Sequence, residues 1–157
     1  MGDLHEVPSS SKSLLLVGDG TMAVVEPSKL TKVFRDHGVA VAYLFGSRAA
    51  GTAGPTSDHD VAVLFDVPDP AFDATERLSA DLAAVLGTEV DVVDLDRAAL
   101  ELRGRVAAEE RRLIYVDDED RRVRFEVDTR LRWIEFRPVV HELSRSYLRR
   151  VANRGLR

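Results

Sequence analysis

The chain contains no cysteine, which excludes disulfides, thiolate nucleophiles and cysteine-ligated zinc. Its four histidines are scattered without metal-ligand spacing, so any metal is expected on carboxylates. No apolar run approaches the length of a membrane span. Leu14 to Val17 is too short for a signal-peptide core, and Gly18-Asp19 interrupts it. These absences predict a cytoplasmic protein with no membrane partner. There is no internal repeat and no low-complexity tract. Aromatics make up only 6% of the residues, and none interleave the arginines as a base-stacking platform requires, so nucleic acid is not an expected partner.

What is present fits one globular domain: 157 residues, 45% apolar and 31% charged. The net charge of −5 is unevenly spread, with 7 Lys+Arg against 16 Asp+Glu in residues 1–100 and 15 against 11 in residues 101–157. All of the later cations are arginine. A solvated helix face laced with i,i+4 ion pairs accounts for them more simply than a nucleic-acid or acidic-partner surface.

The chain is arranged around VAYLFGSRAAGTAGPTSDHDVAVLFD, Val41 to Asp66. An apolar run from Val41 to Phe45 stops at Gly46-Ser47, a small-residue loop follows, and Asp58-His59-Asp60 opens a second apolar run, Val61 to Phe65. That pattern reads as strand, glycine-rich turn, strand. Strand side chains alternate between faces, so Asp58 and Asp60 share one face and His59 takes the other, where packing is expected of it. Two residues of rise set their Cα atoms about 6–7 Å apart, close enough for both carboxylates to reach one hard cation. Gly46 leaves the backbone bare and Ser47 adds a hydroxyl beside free N–H groups, a place for phosphate oxygens. A short helix beginning after Ser47 would aim further N–H groups there. Arg48 is either a clamp on a β- or γ-phosphate or a surface arginine. Ser57 sits at the end of the loop, as a phosphate contact or a turn residue. The layout is that of a nucleotide-triphosphate transferase.

Around this stretch, a helix is expected over Pro27 to His37, another over Phe72 to Leu86 with Phe72, Leu78, Leu82, Val85 and Leu86 as its apolar face, and a third strand over Glu89 to Leu95. Arg97 to Glu110 reads as helix and Arg112 to Val116 as a short strand. A long helical region follows from Asp118 to about Asn153, kinked or broken at Pro138. Its stripe Trp133, Phe136, Val140, Leu143, Tyr147, Val151 is expected to pack on the domain's own sheet, with docking to another chain as the alternative. Residues 1–25 form an extension of unassigned role, either a small hairpin or a loose tail. Residues 26–157 form one domain, including C-terminal helices from about residue 118. In-line attack on a nucleotide phosphorus benefits from two cations roughly 3.5–4 Å apart, and two carboxylates rarely hold both. The third strand offers Asp91 and Asp94 on opposite faces. Asp91, early in an apolar run, is the candidate that a metal would make affordable to bury, and Asp94 is expected to be solvated.

Gly46, Ser47, ten residues, Asp58, one residue, Asp60 resembles the GS-x10-DxD signature of DNA polymerase β-like nucleotidyltransferases. Those four fixed positions arise by accident in roughly one chain in several hundred of this length. With AYLFGSRAAG, GPTSDHDVAVL, LGTEVDVVDLDRA, RLIYVDD and the late FRPVV, the chain from about Val39 onward looks like the minimal nucleotidyltransferases of the MntA antitoxin type, encoded with HEPN-domain toxins. The resemblance implies an α/β (α+β) fold of the polymerase β-like class, a small mixed sheet flanked by helices. It implies Mg²⁺-dependent transfer of AMP from ATP to a tyrosine hydroxyl on the toxin, using two Mg²⁺, and a hetero-oligomer with that toxin. By position, Gly46 and Ser47 would hold the triphosphate, Asp58 and Asp60 the metal, and Asp91 would complete the site. Family members often carry a basic residue where this chain has Ala50. An aminoglycoside-type small-molecule transferase is a rival, although about 60 residues after the third strand leave little room for a drug-binding domain. So is an antitoxin that acts by binding alone, which would be indifferent to the loss of Asp58 and Asp60.

Overall fold

In the computed structural model of the chain, the described residues are 26–46, 58–108 and 111–154, with side chains described through 139 and at 142. Pro27 opens α1 (Pro27–Asp36), where its missing N–H is no loss, and the helix turns Leu30 and Phe34 into the core. β1 (Val39–Phe45) and β2 (His59–Phe65) follow, both apolar on both faces. They are then joined by α2 (Ala74–Leu86), β3 (Val90–Asp94), α3 (Leu100–Ala108), β4 (Arg112–Val116) and α4 (Glu119–Arg154).

Several boundaries differ from the sequence reading, three of them by two residues or more. β1 begins at Val39, two residues before the expected start. α2 begins at Ala74, so Phe72 lies before its first turn and is 94% exposed rather than on the apolar face. α3 begins at Leu100 because Asp94 first organises a turn, accepting the Asp96 N–H at 2.9 Å while its backbone carbonyl takes the Ala98 N–H at 3.0 Å. Pro138 lies inside α4, which continues through it instead of restarting. The suggested hairpin in residues 1–25 lies outside the described residues.

The strands form one mixed sheet in the order β3-β2-β1-β4. β1 pairs antiparallel with both β2 and β4, whereas β2 and β3 are parallel, α2 supplying the crossover that parallel pairing requires. Being central, β1 and β2 are covered on both sides, which explains their continuous rather than alternating apolar runs. One face carries α1 and α2, with Phe34, Val61, Val63, Phe65, Leu78 and Leu82 among its buried residues. The other carries α3 and α4, with Tyr43, Ala62, Leu64, Val106 and Phe125.

α4 is fastened to that second face in two ways. Phe125, Thr129 and Trp133, one helical turn apart, are buried. Gly104 in α3 makes room for Trp133, since a Cβ there would lie 2.4 Å from the indole Cδ2. Beside them Glu126 is a buried polar hub. It accepts a hydrogen bond from the Tyr43 hydroxyl at 3.0 Å, from Arg111 at 2.8 Å and from Arg122 at 2.9 Å, with Arg130 at 3.8 Å. Burial, reinforced by the Glu126 charge, pushes the Tyr43 hydroxyl well above its ordinary range. Burial would raise Glu126 too, but the Arg111 hydrogen bond and charge, with Tyr43 and Arg122, outweigh it and hold the carboxyl below its ordinary value. The arginines of α4 are thus partly the expected i,i+4 lacing, as Arg132 with Asp128, joined by an i,i+3 pair of Arg122 with Glu119. Others reach across to neighbouring elements, Arg121 to Asp96 at 2.6 Å and Arg130 to the Ala107 carbonyl at 2.9 Å. No helix among the described residues is long and apolar enough to cross a membrane.

Candidate active site

The pairing register builds the site. The last residue of β1, Phe45, lies opposite Asp60. The chain then passes through Gly46 with φ +69°, a backbone conformation that side chains with a Cβ rarely adopt. A Cβ at Gly46 would lie 2.2 Å from Asp60 Oδ2. Asp60 therefore rests its carboxylate against bare backbone, and only glycine satisfies both the dihedral and the contact. On the other side, Asp60 is the register partner of Asp91 in the parallel β2–β3 ladder. Partners in neighbouring strands present side chains on the same face, about 4.8 Å apart along the hydrogen-bonding direction. Asp58 stands two residues before Asp60, immediately ahead of β2, on the side that alternation assigns to Asp60. Asp60 and Asp91, with Asp58 just ahead of β2, are thus brought to one end of one sheet face.

Their electrostatics match that placement. Asp58 and Asp91 are exposed, while Asp60 is half-buried. Burial first, then the charges of Asp91 and Asp58, push the Asp60 carboxyl above its ordinary range. Like charges at directly opposed positions destabilise a sheet. Among the described residues, no three or more His, Cys, Asp or Glu side chains are gathered tightly enough to enclose a metal ion. The donor set still fits a hard divalent cation, because it is all oxygen, lies on adjacent positions and faces negative charge that a cation would neutralise. His59 points to the opposite face and is fully buried, as expected of a packed residue.

The two acids of β3 exchange the environments expected of them. Asp91 is exposed because β3 is an edge strand, whereas Asp94 is only 7% exposed. Asp94 caps the turn into α3 and lies 3.7 Å from Arg97, and burial raises its pKa. Asp91 therefore bears no burial cost for a metal to offset, and its tie to Asp60 is their register. Ser47, Arg48 and Ser57, and the helix suggested after Ser47, lie outside the described residues. In the C-terminal part of the expected stripe only the helical backbone is described, while Trp133 packs inward and Phe136 is 42% exposed. Sequence reasoning missed Glu126. Its signal was position, since the helical spacing that buries Phe125, Thr129 and Trp133 also turns residue 126 inward. A cleft of about 670 Å³ bordered by α4, Leu64 and Asp96 does not contain the three acids.

Residues 28–120 match the polymerase beta nucleotidyltransferase family. The chain is 34% identical over 102 residues to the protein adenylyltransferase MntA of Shewanella oneidensis, an alignment covering 63% of this chain and 72% of that protein. Its fold is similar to a chain in the crystal structure of a toxin–antitoxin with AMP-PNP, with a TM-score of 0.60 and 28% identity over 76% of this chain and 98% of that one. It is also similar to a chain in the complex of a tri-AMPylated S. oneidensis HEPN toxin with its MNT antitoxin, with a TM-score of 0.54 and 26% identity over 75% and 95% of the two chains.

Proposed function

The chain belongs to the polymerase beta nucleotidyltransferase family, among its minimal MntA-type members, and from that premise we propose that it is an antitoxin that transfers AMP from ATP to a tyrosine hydroxyl of a HEPN-domain toxin. The observation that carries the reading is the register Phe45–Asp60–Asp91, which sets two carboxylates side by side with Asp60 against the bare backbone of Gly46. A relative named as a protein adenylyltransferase, and similar folds in toxin complexes with an ATP analogue and with an AMPylated toxin, support the substrate and the partner.

Asp58 and Asp60 would hold Mg²⁺ together with the triphosphate, and Asp91 a second Mg²⁺. Bound there, the cations would neutralise charge developing on the attacking and leaving oxygens. Gly46 and Ser47 would cradle phosphate oxygens with backbone N–H groups and a hydroxyl, with Arg48 and Ser57 at the rim. The tyrosine oxygen attacks the α-phosphorus, the bond to pyrophosphate breaks, and the phenolic proton passes to Asp91 or to solvent. The exposure of Asp91 suits a group that meets an incoming protein side chain. Residues 26–157 act as the catalytic domain, in the cytoplasm.

The test is the intact mass of a candidate HEPN toxin after incubation with the chain, ATP and Mg²⁺. One or more added AMP units, absent with Asp58→Ala/Asp60→Ala, is the expected result. A stable complex that blocks toxicity with no mass change would make the chain a binding antitoxin. Neither modification nor complex would return the acceptor to a small molecule.

A further inference from the structure

The outward side of α4 carries a row of exposed apolar side chains. Val123, Val127, Leu131 and Ile134 are 44, 52, 61 and 69% exposed. Their spacing of four, four and three places them in one line. At 100° per residue this line lies roughly opposite the buried Phe125, Thr129 and Trp133. Val123, Val127 and Leu131 also border the cleft of about 670 Å³ that Leu64, Asp96 and Arg103 line from the domain side. The exposed charged residues on this stretch of the helix are Arg124, Arg130, Arg132 and Arg137 against Asp128 and Glu135, so the border is cationic.

We propose that this row and cleft are the docking surface for the toxin, and that they seat an amphipathic helix of the toxin edged with acidic residues. The proposal rests on the reading above, which makes a protein the acceptor. Three observations select this occupant. The cationic border calls for an acidic partner and sets like against like if two copies of this chain pair through it. A row of four side chains falls well short of the roughly 800 Å² per partner that a stable pair needs. A second copy meeting row to row would therefore be weakly held, whereas a partner that also enters the acid site adds contact there. The exposed acids Asp58 and Asp91 offer no apolar anchor, so choosing one protein hydroxyl over water needs binding energy from surface remote from the reacting atoms. Helix-in-groove docking lays the apolar face of a partner helix into a groove of this kind.

Val127→Glu/Leu131→Glu tests the proposal, because both side chains are exposed and the fold does not depend on them. The expected result is at least a tenfold fall in kcat/KM toward the intact toxin, carried by KM, with the melting temperature and the Kd for ATP in Mg²⁺ unchanged. Arg124→Glu/Arg137→Glu, as a second variant, should weaken toxin binding and flatten its salt dependence. Unchanged toxin modification by the first variant overturns the proposal. So does a wild-type dimer, measured by light scattering, that the variant dissociates, since the occupant would then be a second copy. Failure of the wild-type chain to bind or modify the toxin at all is a different result, and it removes the proposed function along with this surface.

Discussion

Asp60 and Glu126 are carboxylates on the same side of the sheet, both partly desolvated, with opposite surroundings. Glu126 is ringed by Arg111, Arg122 and the Tyr43 hydroxyl, which hold it ionised. Asp60 faces Asp91 and Asp58, which oppose its ionisation. A fold gains from the first arrangement and loses from the second. Neutralised charge of this kind marks attachment, here of α4 to β1, whereas carboxylates set against one another mark the candidate functional site.

The contrast breaks most visibly on substitution. Asp60→Asn should lower adenylyl transfer by about a thousandfold or more, while Glu126→Gln should leave kcat within a few-fold; steady-state kinetics on both variants checks this. Gly46→Ala comes next, because it combines a positive φ with a contact at 2.2 Å to Asp60. It should cost about 2–3 kcal/mol in stability and lower transfer by about tenfold to a hundredfold, readable by denaturant melts and kinetics together. The effects then reverse for stability alone. Glu126→Gln should cost about 2 kcal/mol, a fall of about 4–8 °C in melting temperature for a domain of this size. Its pH dependence has a defined sign. The folded-state pKa of Glu126 lies below its ordinary value of 4.5, so its stabilisation is present above that value and is lost as the pH falls through the folded-state pKa. Wild type and Glu126→Gln should therefore converge in stability in acid and separate above about pH 5. Last and smallest, Asp60→Asn should raise the metal-free melting temperature by about 1–3 °C by removing like-charge opposition, and Mg²⁺ should stabilise only the wild type.

Much of this was legible in the chain because the two signals used are local. Apolar runs broken by Gly46-Ser47 and Pro68 to Pro70 placed the strands, and the two-residue alternation put His59 on the opposite face from Asp58 and Asp60. What was not legible depends on sheet order and register. Nothing in the sequence says that β3 is an edge strand, so the environments of Asp91 and Asp94 came out exchanged. Glu126 looked like one acid among many arginines until the seating of α4 turned it inward. Phe72 satisfied a helical spacing but stands ahead of the turn where α2 begins, and periodicity alone does not fix where a helix starts. The outward row of α4 was hidden for the same reason, since which apolar stripe a helix buries is decided by its partners.

The most direct measurement follows label from ATP to the toxin, comparing ATP labelled at the α-phosphate with ATP labelled at the γ-phosphate, in the presence of Mg²⁺. Transfer of the α-label alone, abolished in Asp58→Ala/Asp60→Ala, is the result that the three-carboxylate site predicts. Transfer of the γ-label, or of α-label that survives the double substitution, would contradict it.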